Sequence, residues 1–454
     1  MSHPVDEARD FLAANPDIRR IEAVLTDASG AARGKVLTRS ELEGAFADGR
    51  PLPGSLYGVD ITGLDVEDAG LQWDDGDKDR VLWPVPGTLA RAPWATTPTG
   101  IMLMAARERD GTPFHADPRQ ALKRVVDRFA ETGLAPVAAI EMEFFLVDRA
   151  AAQAGRAAPA TASNGWPQER HLQPCSLDDL ADFAPVLDDI YAAADAMDVP
   201  ARTLLSEYAP GQFEIVLKHR DDALRAADDA VLFKRIVKGV AERHGYAATF
   251  MAKPFSDFSG SGMHVHASLN DSGGANVFAG DEAVPTGTLV HAIGGQLSTL
   301  RESMAIFAPN ANSWRRFRPG SYAPVGPGWG VDNRTVPLRV TAGKAETRHF
   351  EHRVAGADAN PYLALAAVLA GVHKGIAEQA SPSAPITGNG YDQIVADFPG
   401  GWAAAIEETA RSAFLADYLG ADFLRVFSAI KRGEADRFNA LVSDIDIAWY
   451  LRMA

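Results

Sequence analysis

One cysteine, Cys175, stands among 454 residues. A lone thiol excludes an intramolecular disulfide framework and a Cys-based zinc site. It reads most simply as a small packed residue. Positive charge is also short: 44 Lys and Arg face 60 Asp and Glu, a net charge of −16. That balance argues against a nucleic-acid-binding surface and a polybasic membrane patch. It leaves room for anionic ligands, which local arginine clusters can grip. No apolar run reaches the ~20 residues of a membrane helix. The start, Met1 to Glu7, lacks the basic end and apolar stretch of a signal peptide. A cytoplasmic protein is expected. Two nucleotide-handling signatures are missing as well. There is no Gly-x4-Gly-Lys-Ser/Thr loop. Nor is there the kinase combination of His-Arg-Asp with a later Asp-Phe-Gly.

What is present describes a soluble globular protein, 46% hydrophobic and 23% charged. Its length exceeds one typical core, so two or more units are expected. Residues 6–14 read as a helix. Ile21–Thr26 and Arg33–Leu37 read as a hairpin around Asp27-Ala28-Ser29-Gly30. Ser40–Asp48 reads as a helix with Ser40 as N-cap. Ser55–Thr62 is a strand candidate, and 64–79 an acidic loop or rim. Residues 80–84 and 99–105 look extended. A boundary falls near 114/115. Asp117 then caps a helix with Pro118 at its first position, and Gly133 ends it. Residues 149–166 suggest a surface loop. Helices are expected over 177–197 (cap Ser176), 222–244, 286–305, 361–379, 402–409 and 421–441. Strands are expected around 201–218, 246–253, 262–269 and 349–353. Residues 310–344, dense in Gly, Pro and Arg, should be mostly irregular. Strands alternating with helices beyond residue 117 argue for an α/β or α+β catalytic domain.

The chemistry begins at Ala138–Val147. Leu146, Val147 and two Phe favour a strand, which puts Glu141 and Glu143 on one face. Two unpaired anions there cost several kcal/mol, on the order expected for buried charge, or take up protons. A hard cation removes that cost. By itself the pair fits a solvated edge strand equally well. Other stretches tip the balance. Glu207 and Glu214 flank Pro210-Gly211, whose turn can bring both to one side. His264, His266 and Ser268 alternate along another strand, after glycines that allow close backbone approach. His349, Glu351 and Arg353 alternate along a third. Carboxylates with imidazole suit Mg²⁺ or Mn²⁺ rather than a thiophilic metal. Neighbouring arginines suit phosphate and carboxylate. Together they point to phosphoryl transfer from a nucleotide.

These stretches make the chain recognisable. It resembles the glutamine synthetase family over nearly its whole length. The resemblance is carried by Thr26-Asp27…Gly30…Arg33-Gly34-Lys35, Glu141-x-Glu143-Phe-Phe and Glu207…Gly211-Gln212-x-Glu214. It continues in Lys253-Pro254, Gly260-Ser261-Gly262-Met263-His264-x-His266-x-Ser268, Asn333-Arg334-Thr335, Glu351-x-Arg353 and Asn360-Pro361-Tyr362. It implies an α+β fold: an N-terminal β-grasp domain (1–114) and a catalytic domain (115–454) with a barrel-like antiparallel sheet and surrounding helices. It further implies rings, as a homododecamer of two stacked hexamers, with sites at subunit junctions. By this resemblance Glu143, Glu207 and Glu214 hold one metal, and Glu141, His264 and Glu351 the nucleotide-side metal. His266, Ser268 and Arg339 lie near ATP. Gly260, Arg316 and Arg353 hold glutamate. Arg334 and Arg339 face the transferred phosphate. The implied partners are glutamate, ATP and an amine, with Mg²⁺ (or Mn²⁺) as cofactor.

Departures from the family pattern concern the acceptor. Family members that use ammonium carry a flap Glu in Pro-Gly-Tyr-Glu-Ala-Pro. Here Pro319-Gly320-Ser321-Tyr322-Ala323-Pro324 puts Tyr322 in that place. The ammonium stretch Phe-Asp-Gly-Ser-Ser is replaced by Leu56–Gly63, with its aspartate shifted to Asp60. Asp79 does match a family aspartate. An aromatic wall suits an organic amine better than ammonium. Leu56-Tyr57-Gly58-Val59-Asp60 and Glu351–Tyr362 resemble the γ-glutamylpolyamine synthetase branch. The expectation is an ATP-dependent ligase that joins the γ-carboxylate of glutamate to an amine through a γ-glutamyl phosphate. Alternatives are a true glutamine synthetase and a non-catalytic homologue.

Overall fold

The computed structural model describes residues 4–166, 172–280, 285 and 287–454. Helix α1 (Pro4–Ala14) leads into a six-stranded sheet. Its strands are β1 (Arg20–Thr26), β2 (Ala32–Thr38), β3 (Arg50–Pro53), β4 (Asp79–Pro84), β5 (Ala90–Arg91) and β6 (Thr99–Arg107). The order is β2-β1-β6-β4-β3, with β5 also on β6. The β1–β6 pair is parallel and the rest antiparallel. All but the last residue of β6 are buried, as fits a central strand. Helix α2 (Leu42–Asp48) begins later than expected. Thr38 rather than Ser40 sets the start: Glu41 Oε2 accepts from the Thr38 amide at 2.8 Å, and a 3₁₀ turn intervenes. Ser55–Thr62 is not a strand. Gly54–Tyr57 is a 3₁₀ turn. The Asp60 carboxylate then winds a loop by accepting from the Thr62 and Leu64 amides, at 2.8 and 3.1 Å.

Helix α3 (Pro118–Glu131) opens the second part. Asp117 caps it, accepting from the Arg119 amide at 2.8 Å while its other oxygen takes the Ala106 amide of β6 at 2.7 Å. One carboxylate thus fastens the helix to the N-terminal sheet. The central element is β7 (Ala135–Asp148), fourteen residues long. Around it lie β8 (Ala201–Ser206), β9 (Gln212–Leu217), β10 (Tyr246–Thr249), β11 (Met263–Asn270), β12 (Trp329–Val331), β13 (Leu338–Val340) and β14 (Phe350–His352). Their order is β12-β13-β14-β11-β7-β9-β8, with β10 also on β7. Among the described residues, only β12–β13 is parallel in this eight-stranded sheet.

Helix α4 (Arg149–Gln153) occupies the start of the expected 149–166 loop, capped by Asp148. The expected 177–197 helix is two, α5 (Leu177–Asp182) and α6 (Ala184–Ala196). Pro185 cannot donate to the preceding turn, and the break falls at Phe183. Helices α7 (Ala223–Arg243) and α10 (Pro361–Ala377) pack against the sheet, and α8 (Thr288–Thr299) and α9 (Met304–Phe307) pack on α10. The expected 286–305 helix has its first position outside the described residues, and α9 continues it after a 3₁₀ turn. Helices α11 (Trp402–Ala410), α12 (Ala413–Leu419), α13 (Ala421–Ala440) and α14 (Asp444–Tyr450) finish the chain. The sequence reading has no α12 or α14, both short. The fold is α+β, with helices around a curled sheet. No described helix is long and apolar enough to cross a membrane.

Candidate active site

Residues directly opposite each other in a sheet share a face. Glu143 of β7 faces Glu214 of β9, and Glu141 faces His264 of β11. His266 of β11 faces Glu351 of β14, which faces Arg339 of β13. One face of the sheet therefore carries a continuous row of ionisable groups. Glu207 lies just beyond β8. Gly211, at φ +71°, turns the chain so that the Glu207 amide donates to Gln212 O at 2.8 Å. Oxygens of Glu143, Glu207 and Glu214 then lie within 4.8 Å of one another.

Glu141 stands between two imidazoles. His264 Nδ1 is 2.5 Å from its Oε1, and His266 Nε2 is 3.4 Å from its Oε2. His264 Nδ1 is also 3.3 Å from Glu351 Oε1. Two more donor groups form, Glu141 with Glu214 and His264, and Glu141 with His266 and Glu351. His266, expected near ATP, thus also stands in a metal-ligand position. Arg339 donates to Glu351 at 2.9 Å and to Asp332 at 3.0 Å. Arg353 pairs with Glu351.

The electrostatics divide the row. Burial and then the carboxylates of Glu141, Glu143 and Glu207 push Glu214 up to about 11. Burial and Glu143 push Glu207 up to about 7. Burial opposes the charges of Glu351 and Glu141 too, but is outweighed. Arg353, His264 and His266 hold Glu351 down to about 2. The two imidazoles hold Glu141 well below the usual range. Crowded carboxylates at one end, with too little positive charge of their own, fit a hard divalent cation.

Gly262 shows how tightly this is built. A Cβ there would lie 2.9 Å from His264 Nε2, 3.1 Å from Arg316 Nη2 and 3.2 Å from Glu143 Oε1. A Cβ at Gly260 would lie 2.5 Å from Ala252 O and 2.7 Å from Arg316 Cγ. The buried Arg316 donates to Val354 O at 3.1 Å. Arg353 Nε is buried without a partner, as suits a place for an anionic ligand. Ser268 lies further along β11, opposite Val137. Arg334 is exposed between β12 and β13.

Two expected residues lie elsewhere in the chain. Asp79 starts β4, opposite Pro53. Asp60 is 1% exposed, paired with Arg437 and hydrogen-bonded to Thr62. It lines a cavity of about 790 Å³ with Lys234, Trp402 and Phe438. Its carboxylate holds a loop and α13 together rather than joining the row.

Two residues escaped the sequence reading. Gln212 donates to Glu143 Oε2 at 3.2 Å and to Gly260 O at 2.9 Å. It ties β9, β7 and the glycine loop together. Its place in a matched block was the available signal. Tyr208, next to Glu207, has its ring centroid 5.8 Å from that of Tyr322, at 31°. A hydrogen bond with Tyr322 raises the Tyr208 phenol above its ordinary value, with burial adding. Tyr322 has φ +56° and is 49% exposed. Nothing in the spacing of 208 and 322 reveals that contact.

Residues 115–450 match the family model described as glutamine synthetase, catalytic domain. The chain belongs to the glutamine synthetase family. Within it, the chain is 39% identical over 450 residues to the gamma-glutamylputrescine synthetase PuuA of Escherichia coli (strain K12). The match covers 99% of this chain and 95% of that one. A glutamate–isopropylamine ligase of Pseudomonas sp is 33% identical over 460 residues, covering 98% and 97%. A solved GmaS/ADP complex superposes with a TM-score of 0.85 at 27% identity, covering 99% of this chain and all of that one. The row on β7, β9, β11 and β14 is thus the carboxylate–histidine row of a glutamine synthetase family member.

Proposed function

We propose that this chain is an ATP-dependent glutamate–amine ligase acting on an organic amine through a γ-glutamyl phosphate. The observation that carries this reading is a complete row of Glu141, Glu143, Glu207, Glu214, His264 and Glu351 beside an acceptor flap bearing Tyr322. The resemblance to ligases for putrescine and isopropylamine supports it. Glu143, Glu207 and Glu214 would hold one Mg²⁺ or Mn²⁺. Glu141, His264 and Glu351 would hold a second, with His266 beside them. Such ions, when bound, neutralise charge between phosphate oxygens.

The chain's own groups do the rest. Arg316 and Arg353 grip the carboxylates of glutamate, and the Arg353 Nε without a partner is a donor still to be satisfied. His266, Ser268 and Arg339 hold the nucleotide. Arg339, anchored on Glu351 and Asp332, is preorganised to stabilise charge on the transferred phosphoryl group, with Arg334 arriving from the exposed loop. The amine then attacks the acyl carbon and phosphate leaves. Gln212 keeps Glu143 and the Gly260 carbonyl in register. The same reading carries the ring assembly, two stacked hexamers with sites at subunit junctions. Asp79 would reach a site only across such a junction.

Phosphate release with glutamate, ATP and single amines tests the proposal. Turnover with at least one organic amine is expected. Ammonium-only turnover would favour a true glutamine synthetase. Absence of turnover and of metal-dependent ATP binding would favour a non-catalytic homologue.

A further inference from the structure

Two tyrosines, Tyr208 and Tyr322, stand together at the acceptor end, and the inference drawn from them rests on the ligase proposal above. Tyr208 follows the metal-site residue Glu207, and Tyr322 sits on the flap. Their ring centroids are 5.8 Å apart and their planes differ by 31°. An alkyl chain between two rings would need about 3.5–4.0 Å to each, or roughly 7–8 Å in all. The rings are too close for that. They can instead form one continuous aromatic surface along which a chain lies.

Their positions are constrained differently. Tyr208 sits in the Glu207–Gln212 turn, pinned by the hydrogen bond between the Glu207 amide and Gln212 O. Tyr322 has a left-handed backbone, unusual for a residue with a side chain. Both Ser321, whose hydroxyl donates to Arg318 O at 2.6 Å, and Ala323, whose carbonyl accepts from the Tyr391 hydroxyl at 3.0 Å, fasten the flap beside it. The Tyr322 ring thus stands outside the core on a fastened turn.

We propose that Tyr208 is a specificity-determining residue, which with Tyr322 forms a two-ring wall selecting primary amines by the length of their alkyl chain. The amino group lies toward Glu207 and the chain runs across the rings. An aromatic face attracts any ammonium that remains protonated and buries methylenes at once. Ammonium, which has no methylenes, gains none of that burial.

The test is a homologous series of n-alkylamines, methylamine to pentylamine, with saturating glutamate and ATP. Wild type is expected to show KM falling by up to about fourfold per added methylene, the factor equivalent to about 0.8 kcal/mol per buried CH₂. Tyr208→Ala should flatten that slope to less than about half, leave the KM values for glutamate and ATP within about twofold, and change kcat at saturating amine little. Tyr208→Phe, which keeps the ring, should keep the slope. An unchanged slope in Tyr208→Ala overturns the inference and leaves the ligase reading standing. A slope lost equally in Tyr208→Phe also overturns it, since the hydroxyl rather than the ring would then matter. A wild type that uses ammonium and no alkylamine overturns both. If Tyr208→Ala fails to fold, Tyr208→Asn, which fills part of the space but removes the apolar surface, replaces it with the same expected and overturning results.

Discussion

Glu207 and Glu214 carry the strongest consequence at the residue scale. Both are raised by burial and by neighbouring carboxylates, Glu207 to about 7 and Glu214 to about 11. A divalent ion needs them deprotonated, so its binding must expel protons held at neutral pH. Apparent Mg²⁺ affinity is therefore expected to rise with pH from 6 to 8. Calorimetry in buffers of different ionisation enthalpy should show net proton release. Proton uptake, or affinity independent of pH, would contradict the cluster as a metal site. Gly262 gives a second consequence. Gly262→Ala puts a methyl against His264, Arg316 and Glu143. A fold loss of about 1–3 kcal/mol is the usual cost of overpacking. The larger expected effect is at least tenfold weaker metal binding, read in the same calorimeter.

Elements place these residues, and here the turn and the cap matter most. Gly211 reverses the chain between Glu207 and Glu214 at φ +71°. Gly211→Ala should cost about 1–2 kcal/mol for a left-handed residue with a Cβ. It should weaken metal binding with it, whereas Gly133→Ala, at a helix end remote from the row, should carry the stability cost alone. Asp117 ties α3 to β6, and burial raises its carboxyl to about 6 despite the amides it accepts from. Its folded value exceeds the unfolded one, so the folded chain holds the proton longer. Its stabilising contribution is full below about 4 and declines as pH rises to about 6. The thermal midpoint of wild type relative to Asp117→Asn should accordingly fall across that window. A rising difference would contradict the burial of this carboxylate.

Strand parity made the row legible before the fold was known. Alternation puts Glu141 with Glu143, and His264 with His266, on shared faces whatever the partners. Sequence periodicity could not say which strands are neighbours. The His266–Glu351 and Glu143–Glu214 pairings come from sheet order and register, which depend on contacts far apart in the chain. The same limit hid the Tyr208–Tyr322 contact and the Arg437 pairing of Asp60. Ser55–Thr62 looked like a strand from its apolar pattern, yet the Asp60 side chain competes for backbone amides and wins locally.

For the whole molecule, the sheet of residues 20–107 and the larger sheet are joined through α3, α10 and α13. Ser29 donates to Glu434 at 3.1 Å, and Asn360 donates to Asp27 O at 2.8 Å. The far end is different. Leu441, Val442, Ile445, Trp449 and Leu451 are exposed apolar side chains on and around α14. Such a concentration of exposed apolar side chains marks an interaction surface, in keeping with the proposed ring assembly. Removing residues 441–454 is expected to lower the number of subunits per particle measured by sedimentation, and an unchanged subunit number would remove α14 from the assembly. The ligase reading itself is tested most directly by phosphate release from wild type with glutamate, ATP and Mg²⁺, supplied with one amine at a time. Turnover with an organic amine that exceeds turnover with ammonium is expected. Turnover with ammonium and with no organic amine would contradict it.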